Sequence, residues 1–200
     1  MKILALVLAC ASAAMAGTVT LTMDEVPFQP INGLAVTKGG ITFTFSDPGG
    51  QMLYKASNGG NLTYVQDPTI EGLNDTFSVA FSVPVSSVQF GMAASSFTPV
   101  TIATVTFYNG ATQIATMTLH SSLTDPFAEG QLTFSSPTIT SMTIAPPAGA
   151  TFPAFALDNL TVTTAASTVP DSSPLTLALM TIGIVGLGGL ALRKKPGSAA

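Results

Sequence analysis

Between Gly17 and Thr168 the charged side chains are nine carboxylates and two lysines, and the whole chain has one histidine, so few combinations could do chemistry. Asp24-Glu25 precedes the first core segments. Asp158-Asn159 interrupts the alternation of the last one, because Leu157 and Leu160 lie three apart, and a bulge there would turn Asp158 aside. If first and last strands are neighbours, Asp24, Glu25 and Asp158 meet. Such a cluster could offer hard oxygens to a structural calcium that pins the chain ends together, with no catalysis. The alternative is that Asp158 and Asn159 bond backbone amides at the bulge while Asp24-Glu25 is a solvated turn.

A second set suits a glycan. Gly49-Gly50 and Asn58-Gly59-Gly60-Asn61 flank Met52, Tyr54 and Lys55, and Tyr64 follows. Sugars stack on aromatic faces while amides satisfy their hydroxyls, which makes Tyr54 and Tyr64 the candidate platforms. The alternative is a hairpin whose tyrosines pack across strands. His120, beside Ser121, Ser122 and Asp125, is the only histidine and reads as a surface residue at a strand end, since no G-x-S-x-G elbow accompanies it. No second His or Cys is present to build a zinc site, so no catalytic residue is assigned and no cofactor is expected beyond the calcium.

The elements that must position these residues are strands. Ile41, Phe43 and Phe45 alternate with threonines, Phe77 to Val83 repeats the pattern, and Val88, Phe90 and Met92 make a third set. Ala103, Val105 and Phe107 run into Asn109-Gly110, a two-residue hairpin signal, and Ala115, Met117 and Leu119 return. Further strands are expected at 132–135, 139–144 and 155–162. All twelve phenylalanines fall between Phe28 and Phe155, so one unit holds the aromatic core. The pattern predicts an all-β fold, a single antiparallel β-sandwich of about eight to ten strands with jelly-roll connections, over residues 17–163.

That unit carries a net charge of −7 and no arginine. Nucleic acid and anionic lipid surfaces, which need basic patches, are excluded as partners. Lys2, the apolar stretch Ile3 to Ala9 and Ala14-Met15-Ala16 form a secretory signal over residues 1–16, cut by signal peptidase before Gly17. A lipoprotein signal with Cys10 as the lipidated residue is the competing reading. After the first cut the exported part has no cysteine, so its stability rests on packing.

Residues 164–173 form a small polar linker ending in Val169-Pro170-Asp171-Ser172-Ser173. The helix of residues 174–195 opens on Pro174 and runs apolar from Leu175 to Leu192, about 27 Å long at ~1.5 Å per residue, against a bilayer core of ~30 Å. Arg193, Lys194 and Lys195 close it and place the C-terminus in the cytoplasm, with the sandwich on the other side of the inner membrane.

Short motif, single span and basic cluster together resemble the PEP-CTERM sorting signal, with Val-Pro-Asp standing where the commonest form has Pro-Glu-Pro. The resemblance implies that Val169, Pro170 and Asp171 are read by an exosortase, a membrane protease that removes the anchor, and that the protein is exported to the surface or to extracellular polysaccharide. An uncleaved anchor is the alternative. Thr104 to Ala115, Glu129 to Pro137 and Phe155 to Val162 are similar to the ectodomain of many such proteins, which implies a galactose-binding-like sandwich. Function is therefore expected to be non-enzymatic, with a membrane-anchored carbohydrate-binding module or adhesin as the alternative.

Overall fold

The computed structural model describes residues 17–165 apart from 58–61, 74, 124–126, 149 and 151–153. The expected signal, sorting motif and span lie outside these residues. Every regular element among the described residues is a strand: β1 (Thr18–Leu21), β2 (Gln29–Pro30), β3 (Ala35–Lys38), β4 (Ile41–Ser46), β5 (Met52–Ala56), β6 (Thr69–Leu73), β7 (Phe77–Ala94), β8 (Thr101–Asn109), β9 (Thr112–His120), β10 (Ala128–Ala145) and β11 (Ala154–Thr164). All pairings are antiparallel and join one continuous sheet, ordered β2-β5-β6-β11-β7-β10-β8-β9, with β1 on β11 and the β3–β4 hairpin on β7.

Two strands make the sheet fold over. β7 and β10 are each 18 residues long. Their ladder slips between Ser135 and Ser141, beside Pro84 of β7 and Pro137 of β10. Proline cannot donate to a ladder, so the strands bend there and change neighbours. The first half of β7 pairs with β4 and the second half with β11; the last residues of β10 pair with β8.

The two halves face each other across the core. Phe45 of β4 meets Tyr54 of β5 edge-on at 6.0 Å, Phe77 of β7 stacks on Phe155 of β11 at 6.1 Å, and Phe107 of β8 stacks on Phe134 of β10 at 4.3 Å. In each pair the rings belong to opposite halves. Phe43, Phe45, Phe77, Phe90 and Phe107 are fully buried, each stabilising the fold by roughly 1.5–3 kcal/mol through burial. On the outer faces threonines pair across strands, Thr20 with Thr161 at 2.8 Å and Thr37 with Thr42 at 2.8 Å.

The all-β expectation holds, with a sandwich-like arrangement of eleven strands among the described residues where about eight to ten were expected. The segments 77–83 and 88–92 are one bent strand, as are 132–135 and 139–144. Short polar gaps with proline read as turns in a sequence, whereas a neighbour on the other half carries the chain through them. The hairpin expected at Asn109-Gly110 forms one residue further on: Asn109 pairs with Thr112 and the two-residue loop is Gly110-Ala111, with Gly110 at φ 57°.

Candidate functional site

β1 pairs with β11, so the first and last strands are neighbours and Asp24, Glu25 and Asp158 belong to one end of the sheet. Asn159 sits in the left-handed region at φ 54°, and the β11–β7 register slips between Asp158 and Thr161. This is the expected bulge. It turns Asp158 into the structure, where it is 2% exposed.

Glu25 has taken other partners. Its Oε1 receives Lys38 Nζ at 2.6 Å and the Thr22 amide at 2.9 Å, and its Oε2 receives the Tyr54 hydroxyl at 2.5 Å. Burial pushes its carboxyl up, but the bonds from Lys38, Tyr54 and Thr22 outweigh that and bring it down to about 2. Tyr54 is pushed far up by its own burial and by the Glu25 charge it bonds. Asp24 is exposed and accepts the Thr22 hydroxyl at 2.8 Å.

As a set the three carboxylates do not fit a calcium ion. The cation beside Glu25 is Lys38, and among the described residues no group of three or more His, Cys, Asp or Glu stands close enough to hold a metal. Asp158 follows the alternative reading: its Oδ2 accepts the Gln66 amide at 3.1 Å and Asn159 Nδ2 at 2.8 Å.

Tyr54 is corrected as a glycan platform. It is 0% exposed, with its ring against Phe45 and its hydroxyl on Glu25, which leaves no face for a sugar. Sequence alternation placed it on a strand but could not say which face was inward; in β5 the buried side is that of Met52, Tyr54 and Ala56. Tyr64 is half-buried.

Tyr64 belongs to a segment that sequence reading missed. Glu129, 1% exposed, accepts the Thr63 amide at 2.9 Å on one carboxylate oxygen and the Tyr64 amide at 2.7 Å on the other. With Asp158 on the Gln66 amide, two carboxylates rising from the outer face of β10 and β11 hold the segment 62–66 across the sheet. Leu62 and Val65 pack beneath it on Ala93 and Ala156. A carboxylate followed by glycine, as at Glu129-Gly130, carried no signal for this role.

Asp158 gives the latch a pH dependence. Burial raises its carboxyl from 3.8 to about 6, against the lowering effect of the amides it accepts. Between those values the folded chain holds a proton that the unfolded chain has released. Its contribution to stability is therefore greatest below about 3.8 and falls as pH rises through about 6. Glu25 has the opposite sign: its contribution is present above 4.5 and is lost as pH falls towards about 2. Denaturant titrations from pH 4 to 7 should show a decline in wild-type stability that Asp158→Asn removes; an unchanged slope in the variant would assign the decline elsewhere.

Beside the latched segment lie two adjoining concavities. A cavity of about 210 Å³ lined by Leu62, Ala93, Phe127 and Phe155 adjoins an open groove of about 580 Å³ lined by Phe28, Lys55 and Leu73, and Glu71 and Ala154 line both. Phe28 is 61% exposed at one margin. At the other, Phe97 is 74% exposed and stacks on Phe127 at 5.5 Å. His120 lies elsewhere, its Nδ1 at 3.1 Å from Thr101 Oγ1. Ser121 Oγ accepts the Val100 amide and Ser122 Oγ donates to the Glu129 carbonyl, and the hydroxyl bonded to the imidazole is that of Thr101.

No protein-family profile and no curated protein sequence matches this chain. Among solved structures it is similar to the K3 cleaved adhesin domain of Lys-gingipain (Kgp) from Porphyromonas gingivalis W83. That likeness has a TM-score of 0.39 and 10% identity, over 74% of this chain and 99% of that one. It is too slight to bear on function.

Proposed function

We propose that this is a non-enzymatic exported surface or matrix protein. Its sandwich, of jelly-roll or galactose-binding-like type, is carried across the inner membrane by the signal of residues 1–16 and retained by the helix of residues 174–195. An exosortase-type protease then cuts near Val169-Pro170-Asp171 and passes the sandwich to extracellular polysaccharide.

One observation chiefly supports this reading. The sandwich closes on itself between the two expected cleavage points: the Gly17 amide donates to Thr164 Oγ1 at 2.8 Å, and the Thr164 amide donates back to the Gly17 carbonyl at 2.9 Å. A nitrogen freed at Gly17 by signal peptidase would be an ammonium and could still donate to Thr164. Both processing events would then leave the packed domain whole.

A second reading, a carbohydrate-binding module or adhesin that stays anchored, draws on the groove between Phe28 and Phe97. Exposed aromatic rings beside a largely apolar groove whose wall also carries Gln51, Lys55 and Ser57 offer a stacking face and hydrogen-bonding groups to a sugar ring. One experiment separates the two. Source cells are divided into membrane, medium and polysaccharide fractions, and the intact mass of the protein is measured in each. A species from Gly17 to near Val169–Ser173 outside the membrane, lost when Pro170→Ala and Asp171→Ala are combined, is the expected result. A membrane species still ending at Ala200, and held to polysaccharide only while Phe28 and Phe97 are intact, would replace the first reading by the second. Processing unchanged by the double substitution would remove the motif from the account.

A further inference from the structure

β9 is an end strand of the sheet and, among the described residues, pairs only with β8. It is nine residues long, and from Thr112 to Leu119 it has no charge, no proline and no glycine. An edge of this kind presents a row of backbone donors and acceptors ready to pair, and folded proteins ordinarily blunt such edges with shortness, lysine, proline or a covering segment.

Other margins are short or partly covered, β1 among them with four residues. β2 has two residues, one of them Pro30, and β3 has four and ends in Lys38. The first half of β10 is partly covered, since the Ser122 and Leu123 amides both donate to the Glu129 carbonyl. No backbone hydrogen bond among the described residues reaches β9 from the side away from β8.

We propose that β9 is an interface between two copies of this chain, paired antiparallel about a twofold axis at Thr116. An isologous contact must be complementary to itself. About Thr116 it is: Thr112 meets His120, Gln113 meets Leu119, Ile114 meets Thr118 and Ala115 meets Met117. Ala115 and Met117 are partly buried against the core, so pairing extends that apolar face from one copy into the next. Ile114, 36% exposed, gains cover on the other face. No like charges oppose each other, although each domain carries −7. That charge lies off the strand, and at a Debye length of ~10 Å in 0.1 M salt its repulsion is largely screened. A second copy fits this edge better than a charged partner, which would find nothing on β9 to pair with.

The test uses the full chain in detergent with Cys10→Ser throughout, so that every cross-link comes from an introduced thiol. Thr116→Cys places two thiols opposite each other at the axis, where Cα atoms of an antiparallel pair lie ~4.5–5.5 Å apart, within disulfide reach. Thr37→Cys, exposed on the β3 edge, is the control. The expected result is that copper-catalysed oxidation converts most of the Thr116→Cys chain to a covalent dimer and at least tenfold less of the Thr37→Cys chain. Sedimentation of the otherwise unaltered chain should show a dimer that Thr116→Pro converts to monomer. Equal cross-linking at both positions, as association through the apolar C-terminal stretch would produce, overturns the proposal, and so does a monomer in sedimentation.

Discussion

Glu129→Ala should lower the free energy of unfolding by about 4 kcal/mol. The carboxylate is buried and accepts two backbone amides, Thr63 and Tyr64, one on each oxygen. Hydrogen bonds to a charged group contribute ~1.5–3 kcal/mol each, and donors stranded under the latched segment would add a desolvation cost. A domain of this kind has only ~5–15 kcal/mol to lose. Glu129→Gln should cost less, because one amide keeps an oxygen acceptor while the other meets a donor. Chemical denaturation gives the size of the effect, and hydrogen exchange at the Thr63 and Tyr64 amides gives its location. A loss under about 1 kcal/mol for Glu129→Ala would mean that water replaces the carboxylate and that the segment is not held by it.

Gly91→Ala should destabilise by roughly 3 kcal/mol, although the same change in an ordinary strand is neutral or favourable. Gly91 has no left-handed backbone to protect; it lies in β7 opposite Asp158 of β11 and Gln131 of β10. What forbids a side chain is the latched segment above it. A Cβ there would overlap the Tyr64 carbonyl oxygen and stand 2.7 Å from the Tyr64 carbonyl carbon. Backbone cannot turn aside as a flexible side chain can, so the segment must lift and give up its bonds to Glu129 and Asp158 together. The double variant with Glu129→Ala should therefore cost clearly less than the two single losses combined, since both break one contact. Additive losses, or a stabilised Gly91→Ala, would refute the close approach.

The strands of the aromatic core could be read from the chain because their chemistry is local. Ile41, Phe43 and Phe45 alternate with threonines, and a period of two has only one folded use. Asn109-Gly110 announced its hairpin for the same reason, since a glycine with positive φ at the first loop position suffices to turn it. The bulge at Asp158 was also legible, as a break in the spacing of Leu157 and Leu160.

What surrounds that bulge was not. Whether the carboxylate beside β1 meets a metal, a lysine or water depends on residues far away in the chain: Lys38 reaches Glu25 across 13 residues and Tyr54 across 29. Tyr54 shows the same limit, because alternation assigns a residue to one of two faces and only the facing half of the sheet decides which is inside. Glu129 is the extreme case. Its partners, Thr63 and Tyr64, lie 66 and 65 residues away, and nothing in their types marks them as a pair. The sequence by itself determined strand character, the acidic and arginine-free composition of the domain and the shared aromatic core, all of which are read from residue types and from neighbours within a few residues. Only the tertiary structure decided which carboxylates are buried, which aromatic rings remain exposed at the groove and which edge is left open, because each depends on the bend of β7 and β10 bringing distant segments together.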